Sequence, residues 1–271
     1  MTATARIIEP ETLAAALPEP PAVLLDLRKL EDYQQAHIPG ALHLDRSQLV
    51  AKSPPVDGLV PDAQQLSGLL GSIGLTPDTP FIAYDEEGGG WAGRLMWTLD
   101  VFGQSCSLLL NGGWTAWQAE GYVTESGDPP RVRASEYALG EPCTAVADRG
   151  HILERLGAED FALLDSRSAE EFSGEKRLAE RGGHIPGAVN LNWTDAMDPA
   201  RNLRLLHDDI LRERLTAMGV TPDKEVVVYC QTHHRSSHTY VMLKHLGYDD
   251  VRGYPGAWSD WGNCGSTPIE T

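Results

Sequence analysis

The residues best suited to chemistry lie in the segment VVVYCQTHHRSSH, from Val226 to His238. A short apolar run leads directly into Cys230, and histidines and Arg235 follow closely. The thiolate is the reactive form of cysteine, and cationic neighbours or a helix N-terminus lower the pKa of the thiol. The segment therefore predicts a cysteine nucleophile prepared to attack an anionic, electrophilic substrate.

Two other interpretations of Cys230 compete with this one. A cysteine at the end of a strand is often a small buried hydrophobic residue, but so many polar and charged neighbours disfavour an apolar pocket here. Cysteine and histidine are also zinc ligands, and His233, His234 and His238 supply the residue types. If backbone amides converge on the sulfur, however, these side chains point outward and cannot complete a tetrahedron. We therefore predict no metal and no other cofactor.

A strand and a helix must position this loop. Apolar runs such as Val226–Tyr229 alternate with helical patterns, which predicts an α/β fold with a mainly parallel sheet. Ligand sites in such sheets lie at the carboxyl ends of strands, where Cys230 is. A helix is expected to begin near Ser236 or Ser237, so the turn before it aims N–H groups inward and forms an anion-binding nest. The buried stripe of this helix is expected at Tyr240, Leu243 and Leu246.

The chain contains two copies of one unit. LLDLR, followed by HIPGA, begins at Leu24, and LLDSR, followed by HIPGA, begins at Leu163. In the same alignment PFIAYDEEGGGWAG matches EVVVYCQTHHRSSH, so that Asp85 occupies the position of Cys230. The segment between the copies is rich in Gly, Pro and charge, which is typical of a linker. We place the first unit at 1–125, the linker at 126–148 and the second unit at 149–271.

Charge and composition exclude several function classes. The 271 residues include 22 Lys and Arg against 39 Asp and Glu, a formal net charge of −17. This balance disfavours binding to nucleic acid or to an anionic membrane surface. No stretch approaches the ~20 apolar residues of a membrane helix, and the N-terminus does not resemble a signal peptide. Cys106, Cys143, Cys230 and Cys264 are widely spaced and form no CxxC pair, so we expect a reduced, cytoplasmic protein. We also expect a monomer.

The chain resembles a two-domain rhodanese over nearly its full length. The motifs that carry the likeness are LLDSR, GGHIPGAVNL, VVVYCQTHHRSS and YPGAWSDW. The resemblance implies two tandem rhodanese-like domains, each a mainly parallel sheet flanked by helices, and a thiosulfate:cyanide sulfurtransferase activity. In such enzymes the cysteine thiolate takes the outer sulfur of thiosulfate and releases sulfite. A second nucleophile then removes the sulfur from the cysteine persulfide.

The resemblance also implies roles for individual residues. Cys230 in the second copy is expected to be catalytic, whereas the first copy has lost its cysteine. Ser236, Asp165 and Arg167 are expected to support the loop. The last two stand two positions apart at a strand end, and this spacing itself predicts a buried Asp–Arg pair. The acceptor would be cyanide, another thiol or a partner protein. A small anionic sulfur donor is expected to bind Gln231, Thr232, His233, His234 and Arg235, with the imidazoles partly charged.

The position where the family leads us to expect a second substrate-binding arginine carries Glu170 and Glu171 instead. A clamp on the donor from that side is therefore not predicted.

Loop length separates sulfur transfer from a second function. Phosphatases that resemble rhodanese in fold use a Cys-x5-Arg loop, whereas Cys230 to Arg235 is Cys-x4-Arg. The shorter ring has room for a sulfur atom held by amides but not comfortably for a phosphate group, which favours sulfur transfer. The alternatives are a Cys-dependent phosphatase or arsenate-reductase-like enzyme and a non-enzymatic sulfur carrier or binding module.

Overall fold

A computed structural model describes residues 6–17, 19–105, 107–140, 142 and 145–271. Cys106 and Cys143 lie outside the described residues. The part of the chain that is described folds into two α/β units, each with a mainly parallel sheet, as the sequence predicts.

The first unit contains the strands β1 (Ile7–Ile8), β2 (Val23–Asp26), β3 (Leu42–His43), β4 (Ala51–Ser53), β5 (Val56–Leu59), β6 (Phe81–Tyr84) and β7 (Ser107–Leu110). Its helices are α1 (Pro10–Ala16), α2 (Leu30–Gln35), α3 (Ala63–Ser72), α4 (Gly90–Val101) and α5 (Gly113–Ala119), with a short 3₁₀ helix at Arg46–Leu49. Within the described residues the sheet order is β1-β7-β6-β2-β3, and every neighbouring pair is parallel. Strands β4 and β5 form a separate antiparallel hairpin.

The second unit contains the strands β8 (Phe161–Asp165), β9 (Val189–Asn190), β10 (Met197–Asp198), β11 (Arg204–Leu205), β12 (Glu225–Tyr229) and β13 (Val251–Gly253). Its helices are α6 (Arg149–Arg155), α7 (Ala169–Phe172), α8 (Asp208–Ala217), α9 (Arg235–His245) and α10 (Ala257–Trp261), with 3₁₀ helices at Trp193–Ala196 and Pro199–Arg201. The parallel sheet has the order β13-β12-β8-β9, and β10 pairs with β11 in an antiparallel ribbon.

Both faces of each sheet are buried, which explains the continuous apolar runs in the sequence. Successive side chains of a strand point to opposite faces. In β2, Leu24 belongs to the outer core of the first unit, whereas Leu25 belongs to a core that both units share. In β8, Leu163 and Leu164 divide in the same way between the outer core of the second unit and the shared core.

The shared core lies between α4 and α9. Leu95 and Leu99 of α4 belong to the same apolar cluster as Val241 and Met242 of α9. The two helices approach closely at Gly93, where a Cβ would lie 3.0 Å from the His238 backbone nitrogen. Each of these helices is therefore packed between its own sheet and the other copy.

Helix α9 begins at Arg235, close to the predicted start. Tyr240, Leu243 and Leu246 are buried as predicted. The burial of the whole range 236–243 was not predicted, because a pattern within one helix does not reveal that a second helix covers its other side.

The predicted linker packs along both units in its described part. The Ser135 N–H donates to the Gly71 carbonyl, and the Ala147 N–H donates to the Gly253 carbonyl. The boundaries at 125 and 149 stay a prediction. Within the described residues, no helix combines the length and the apolar character needed to cross a bilayer.

Candidate active site

Cys230 lies at the carboxyl end of β12, in the middle of the second sheet. The four residues before it are β-branched or aromatic and fully buried, which fits a central strand. The backbone after the strand is fixed by α10, because the Trp258 N–H donates to the Cys230 carbonyl at 3.0 Å and the Ser259 N–H donates to the Gln231 carbonyl at 2.9 Å. Cys230 itself is fully buried.

The predicted Asp–Arg pair lies beside the start of this loop. Asp165 is in register with Tyr229 on the neighbouring strand. Its carboxylate accepts the Arg167 backbone N–H at 2.9 Å and the Arg167 guanidinium, at 2.9 Å from Nε and 2.6 Å from Nη2 to Oδ2. Arg167 also donates to the Gly183 carbonyl at 2.8 Å, so the pair joins β8 to the segment before β9.

The surroundings of Cys230 favour its thiolate. Burial alone raises the pKa of a thiol. The positive charge of Arg235, the side chain and N–H of Ser236 and the N–H of Thr232 outweigh this effect, and the pKa of Cys230 lies below its ordinary value. The start of α9 acts in the same direction, since a helix N-terminus stabilises negative charge.

Arg235 is held by a carboxylate that was not among the predicted site residues. Its Nη1 lies 2.7 Å from Glu171 Oε2, and its Nη2 lies 2.9 Å from Glu171 Oε1. Burial raises the pKa of Glu171, but the contact with Arg235 more than offsets it, so that the pKa lies below the ordinary value. The two charges form a bidentate pair, and Glu171 is only 2% exposed.

A sequence signal for the position of Glu171 exists. Ser168 caps α7, and the Ser168–Glu171 pair forms a capping box, the S-x-x-E signature of a helix start. The capping box fixes Glu171 at the third position of α7, whose buried side contacts Arg235. The sequence alone indicates only that Glu171 stands where a second cation is expected.

The expected partly charged imidazole is wrong for His233. Its ring is fully buried, with Nδ1 2.7 Å from Ser236 Oγ and its centroid 4.1 Å from that of Trp97. Burial and the nearby positive charge of Arg94 hold the pKa of His233 well below its ordinary value. His238 is neutral for a similar reason, since burial lowers its pKa to about 4.

The remaining predicted donor-binding residues lie around the loop in different settings. His234 is partly exposed, with Nε2 3.1 Å from Glu87 Oε2 of the first copy and its ring 4.4 Å from that of Trp91. Gln231 turns its side-chain amide to the Leu178 carbonyl at 3.1 Å. Thr232 is partly exposed. The loop thus gathers backbone N–H groups at the sulfur, while several of its side chains are engaged elsewhere.

The corresponding loop of the first copy is occupied by its own carboxylate. Asp85 is fully buried. Its Oδ1 accepts the N–H groups of Glu87 and Gly89, both at 2.9 Å, and its Oδ2 accepts those of Trp91 and Ala92 at 2.7 and 2.9 Å. Gly90 occupies the position of Arg235 in the alignment. The residues of this loop from Asp85 to Gly90 therefore include neither a thiol nucleophile nor a cation, and Arg46, which contacts the loop, is paired with Glu86.

Comparisons with known proteins agree with this geometry. The family model described as Rhodanese-like domain matches residues 9–120 and 149–264. A thiosulfate sulfurtransferase of Azotobacter vinelandii is 48% identical over 97% of this chain and 96% of its own. One of Pseudomonas aeruginosa is 44% identical with the same coverage. The sulfur carrier protein TtuD of Thermus thermophilus is 33% identical over 88% of this chain and 86% of its own.

The fold has known counterparts among solved structures. The crystal structure of a protein named YnjE superposes with a TM-score of 0.86 at 24% identity, over 98% of this chain and 68% of that chain. At this identity the likeness concerns the fold alone.

Proposed function

The chain belongs to the rhodanese family, and from this premise we propose that it is a thiosulfate sulfurtransferase acting through a persulfide on Cys230. The acceptor is cyanide or another thiophile. Two relatives that are 48% and 44% identical over nearly the whole chain are named thiosulfate sulfurtransferase, which supports thiosulfate as the donor. The observation that carries the proposal is the lowered pKa of a fully buried cysteine at the carboxyl end of a central parallel strand.

The first half-reaction loads sulfur onto Cys230. The thiolate attacks the outer sulfur of thiosulfate, a new S–S bond forms, and the S–S bond of the donor breaks. Sulfite leaves with that electron pair, and the terminal sulfur of the persulfide keeps a negative charge. Backbone N–H groups of the loop and the start of α9 stabilise this charge at each stage.

The second half-reaction returns the thiolate. The acceptor attacks the terminal sulfur, the persulfide bond breaks, and its electron pair stays on Cys230. Cyanide yields thiocyanate in this step. No proton transfer to the cysteine is needed in either half-reaction, so a low thiol pKa serves both.

Supporting roles follow from the contacts of each residue. Arg235 contributes positive charge, in a position fixed by Glu171. The Ser236 side chain stabilises the thiolate, and the Asp165–Arg167 pair holds the strand end. Thr232, His234 and Gln231 contact the donor at the partly exposed side of the loop, whereas His233 contributes only its backbone.

The acceptor and the setting of the enzyme are proposed in the same way. A thiol or a protein acceptor is supported by the relative named as a sulfur carrier protein. A cytoplasmic setting is proposed from the widely spaced cysteines, and the enzyme is proposed to act as a monomer. Sulfur transfer is favoured over the phosphatase alternative, because the relatives are named as sulfurtransferases.

Intact mass spectrometry tests the proposal. Incubation with thiosulfate should add one sulfur atom, and cyanide should remove it with formation of thiocyanate. The adduct should be absent from Cys230→Ser and present in the matched Cys264→Ser variant. Mercaptopyruvate in place of thiosulfate compares the two donor classes. An adduct in Cys230→Ser, or none in the unmodified protein, would contradict the proposed function.

A further inference from the structure

A buried arginine of the first copy contacts the active-site loop of the second. Arg94 on α4 is fully buried. Its Nη2 donates to the carbonyls of Gly58 and Leu59, both at 2.9 Å. Its Nη1 donates to the carbonyls of His233 at 3.2 Å and Thr232 at 3.4 Å. One guanidinium therefore connects the β4–β5 hairpin to the loop that follows Cys230.

The hairpin itself is packed against this loop. Gly58 lies so close that a Cβ there would collide with the Thr232 carbonyl. The Asp57 N–H donates to Ser259 Oγ at 3.0 Å, which fixes the hairpin to α10 as well. Arg94 thus joins two segments that are already in contact.

Arg94 carries a charge that no carboxylate balances. Among the ion pairs formed by the described residues, none includes Arg94. Burying an unpaired cation is costly. Burial lowers the pKa of Arg94 to about 9, and the negative charge of Cys230 acts in the opposite direction. This attraction is mutual, so the same charge favours the thiolate.

The carbonyl contacts also constrain the direction of two N–H groups of the loop. In a trans peptide the C=O and the following N–H point in opposite directions. Because Arg94 holds the carbonyls of Thr232 and His233, the N–H groups of His233 and His234 point away from the guanidinium. His233 has a left-handed φ of 55°, and the next residue is right-handed, which is the backbone pattern of an anion-binding nest. A non-glycine residue in this conformation must be held by its surroundings.

The arginine is specific to the first copy. When Asp85 is aligned with Cys230, Arg94 aligns with Thr239 of the second copy. Thr239 instead has its Oγ1 2.8 Å from Ser166 Oγ. The repeat alone therefore does not account for a cation at this place.

We propose that Arg94 is a positioning residue for Cys230, supplied by the copy that has no catalytic cysteine. It holds the loop in the nest conformation and sets a fixed positive charge near the thiolate and the persulfide. The inference rests on the proposed function, since it concerns the same cysteine. It adds a contribution of the first copy to the electrostatics of the second.

The test compares Arg94→Gln, which keeps a hydrogen-bond donor but no charge, with Arg94→Lys, which keeps the charge. The control Arg204→Gln removes another contact between the units, to Glu9, Glu11 and Glu120. The first measurement is the titration of the Cys230 thiolate by its ultraviolet absorbance, after subtraction of the matching Cys230→Ser protein. The second is the rate of sulfur loading from thiosulfate as a function of pH.

Arg94→Gln should raise the titration midpoint of Cys230 by about one pH unit, the lower end of the effect of a nearby charge. At pH values below both midpoints, where the thiolate fraction falls tenfold for each unit of pKa, loading should then be about tenfold slower. Arg94→Lys should keep the midpoint close to that of the unmodified protein but load more slowly, because a single ammonium cannot contact all of the carbonyls. Arg204→Gln should change neither. Equal midpoints for the glutamine variant and the unmodified protein would overturn the proposal.

The experiment still tests the proposal if Arg94→Gln does not fold. Arg94→Lys then decides alone, since a native midpoint with slow loading supports the proposal and native loading overturns it. The titration needs no sulfur donor. A failure of the unmodified protein to load sulfur would therefore contradict the proposed function while the titration still tests Arg94.

Discussion

Replacing Asp85 by alanine removes the acceptor of four N–H groups in the first copy, all within 2.7–2.9 Å of the carboxylate. Asp85 is fully buried, so its removal leaves these donors with little access to water. A buried donor without a partner costs about 1–3 kcal/mol. At the lower end of this range, the four together cost about 4 kcal/mol.

The asparagine variant refines this value. Its oxygen can still accept two of the four N–H groups, while its NH₂ group faces the other two donors. We expect Asp85→Asn to lose about 2 kcal/mol, half the loss of Asp85→Ala. Because neither variant changes the Cys230 loop, the folded protein should keep most of its sulfur transfer.

The assay is unfolding by guanidinium chloride, followed by circular dichroism, with Asp78→Ala as the matched control. Asp78 is an exposed aspartate of the same unit. The free energy of unfolding should fall in the order Asp78→Ala, Asp85→Asn, Asp85→Ala. If Asp85→Ala unfolds at the same concentration as Asp78→Ala, the carboxylate does not satisfy the loop, and the reasoning is refuted.

Four further predictions concern the chemistry of the loops. The double variant Asp85→Cys, Cys230→Ser should not produce thiocyanate, because the new thiol would have no arginine in its own loop and would lie near Glu87. Turnover near that of the unmodified enzyme would show that backbone amides alone suffice. Arg235→Ala should slow the thiosulfate half-reaction roughly tenfold or more, about 1.5–3 kcal/mol, but should slow the cyanide half-reaction much less, since cyanide is mostly protonated and uncharged near neutral pH. Equal losses of rate in the two half-reactions, measured by stopped flow, would indicate a structural role instead. Glu171→Gln should lower the free energy of unfolding by about 2–3 kcal/mol, because it leaves the mostly buried Arg235 guanidinium without its partner, and by less in an Arg235→Met background. Equal losses in both backgrounds, measured by unfolding in guanidinium chloride, would show that the ion pair does not contribute to stability. Because the pKa of Cys230 is lowered, the rate of sulfur loading should stay high at pH values below the pKa of an ordinary thiol and should decline only as the pH falls through the lowered pKa. Arg235→Ala should move this decline to a pH about one unit higher, and an unchanged pH profile would contradict the electrostatic role of Arg235.

The parts of the site that could be predicted depend on local sequence. The apolar run before Cys230 predicts a strand, and a strand followed by a helical pattern predicts the nest. The Asp165–Arg167 pair was predicted because its residues are two positions apart at a strand end, and the ion pair at 2.6 Å confirms it. The filling of the first loop by Asp85 follows from the alignment of the two copies.

The parts that could not be predicted depend on how the two copies pack. His233 is neutral because Trp97 of the first copy and Ser236 bury its ring. Arg94 stands in the apolar helix sequence GWAGRLMWTLDV, where a single cation is a signal of unusual burial. Its partners are backbone carbonyls on two distant segments, and no pattern in one sequence reveals those contacts.

The packing of α4 against α9 has a consequence for the evolution of the chain. A protein reduced to residues 149–271 would expose to water the side of α9 at His238 and Tyr240, which contacts Gly93 and Asp100 of α4. It would also lack the guanidinium of Arg94 beneath the Cys230 loop. Loss of the copy without a nucleophile is therefore not a neutral deletion. A shorter enzyme would need polar substitutions along α9 and a new support for the loop in the same step.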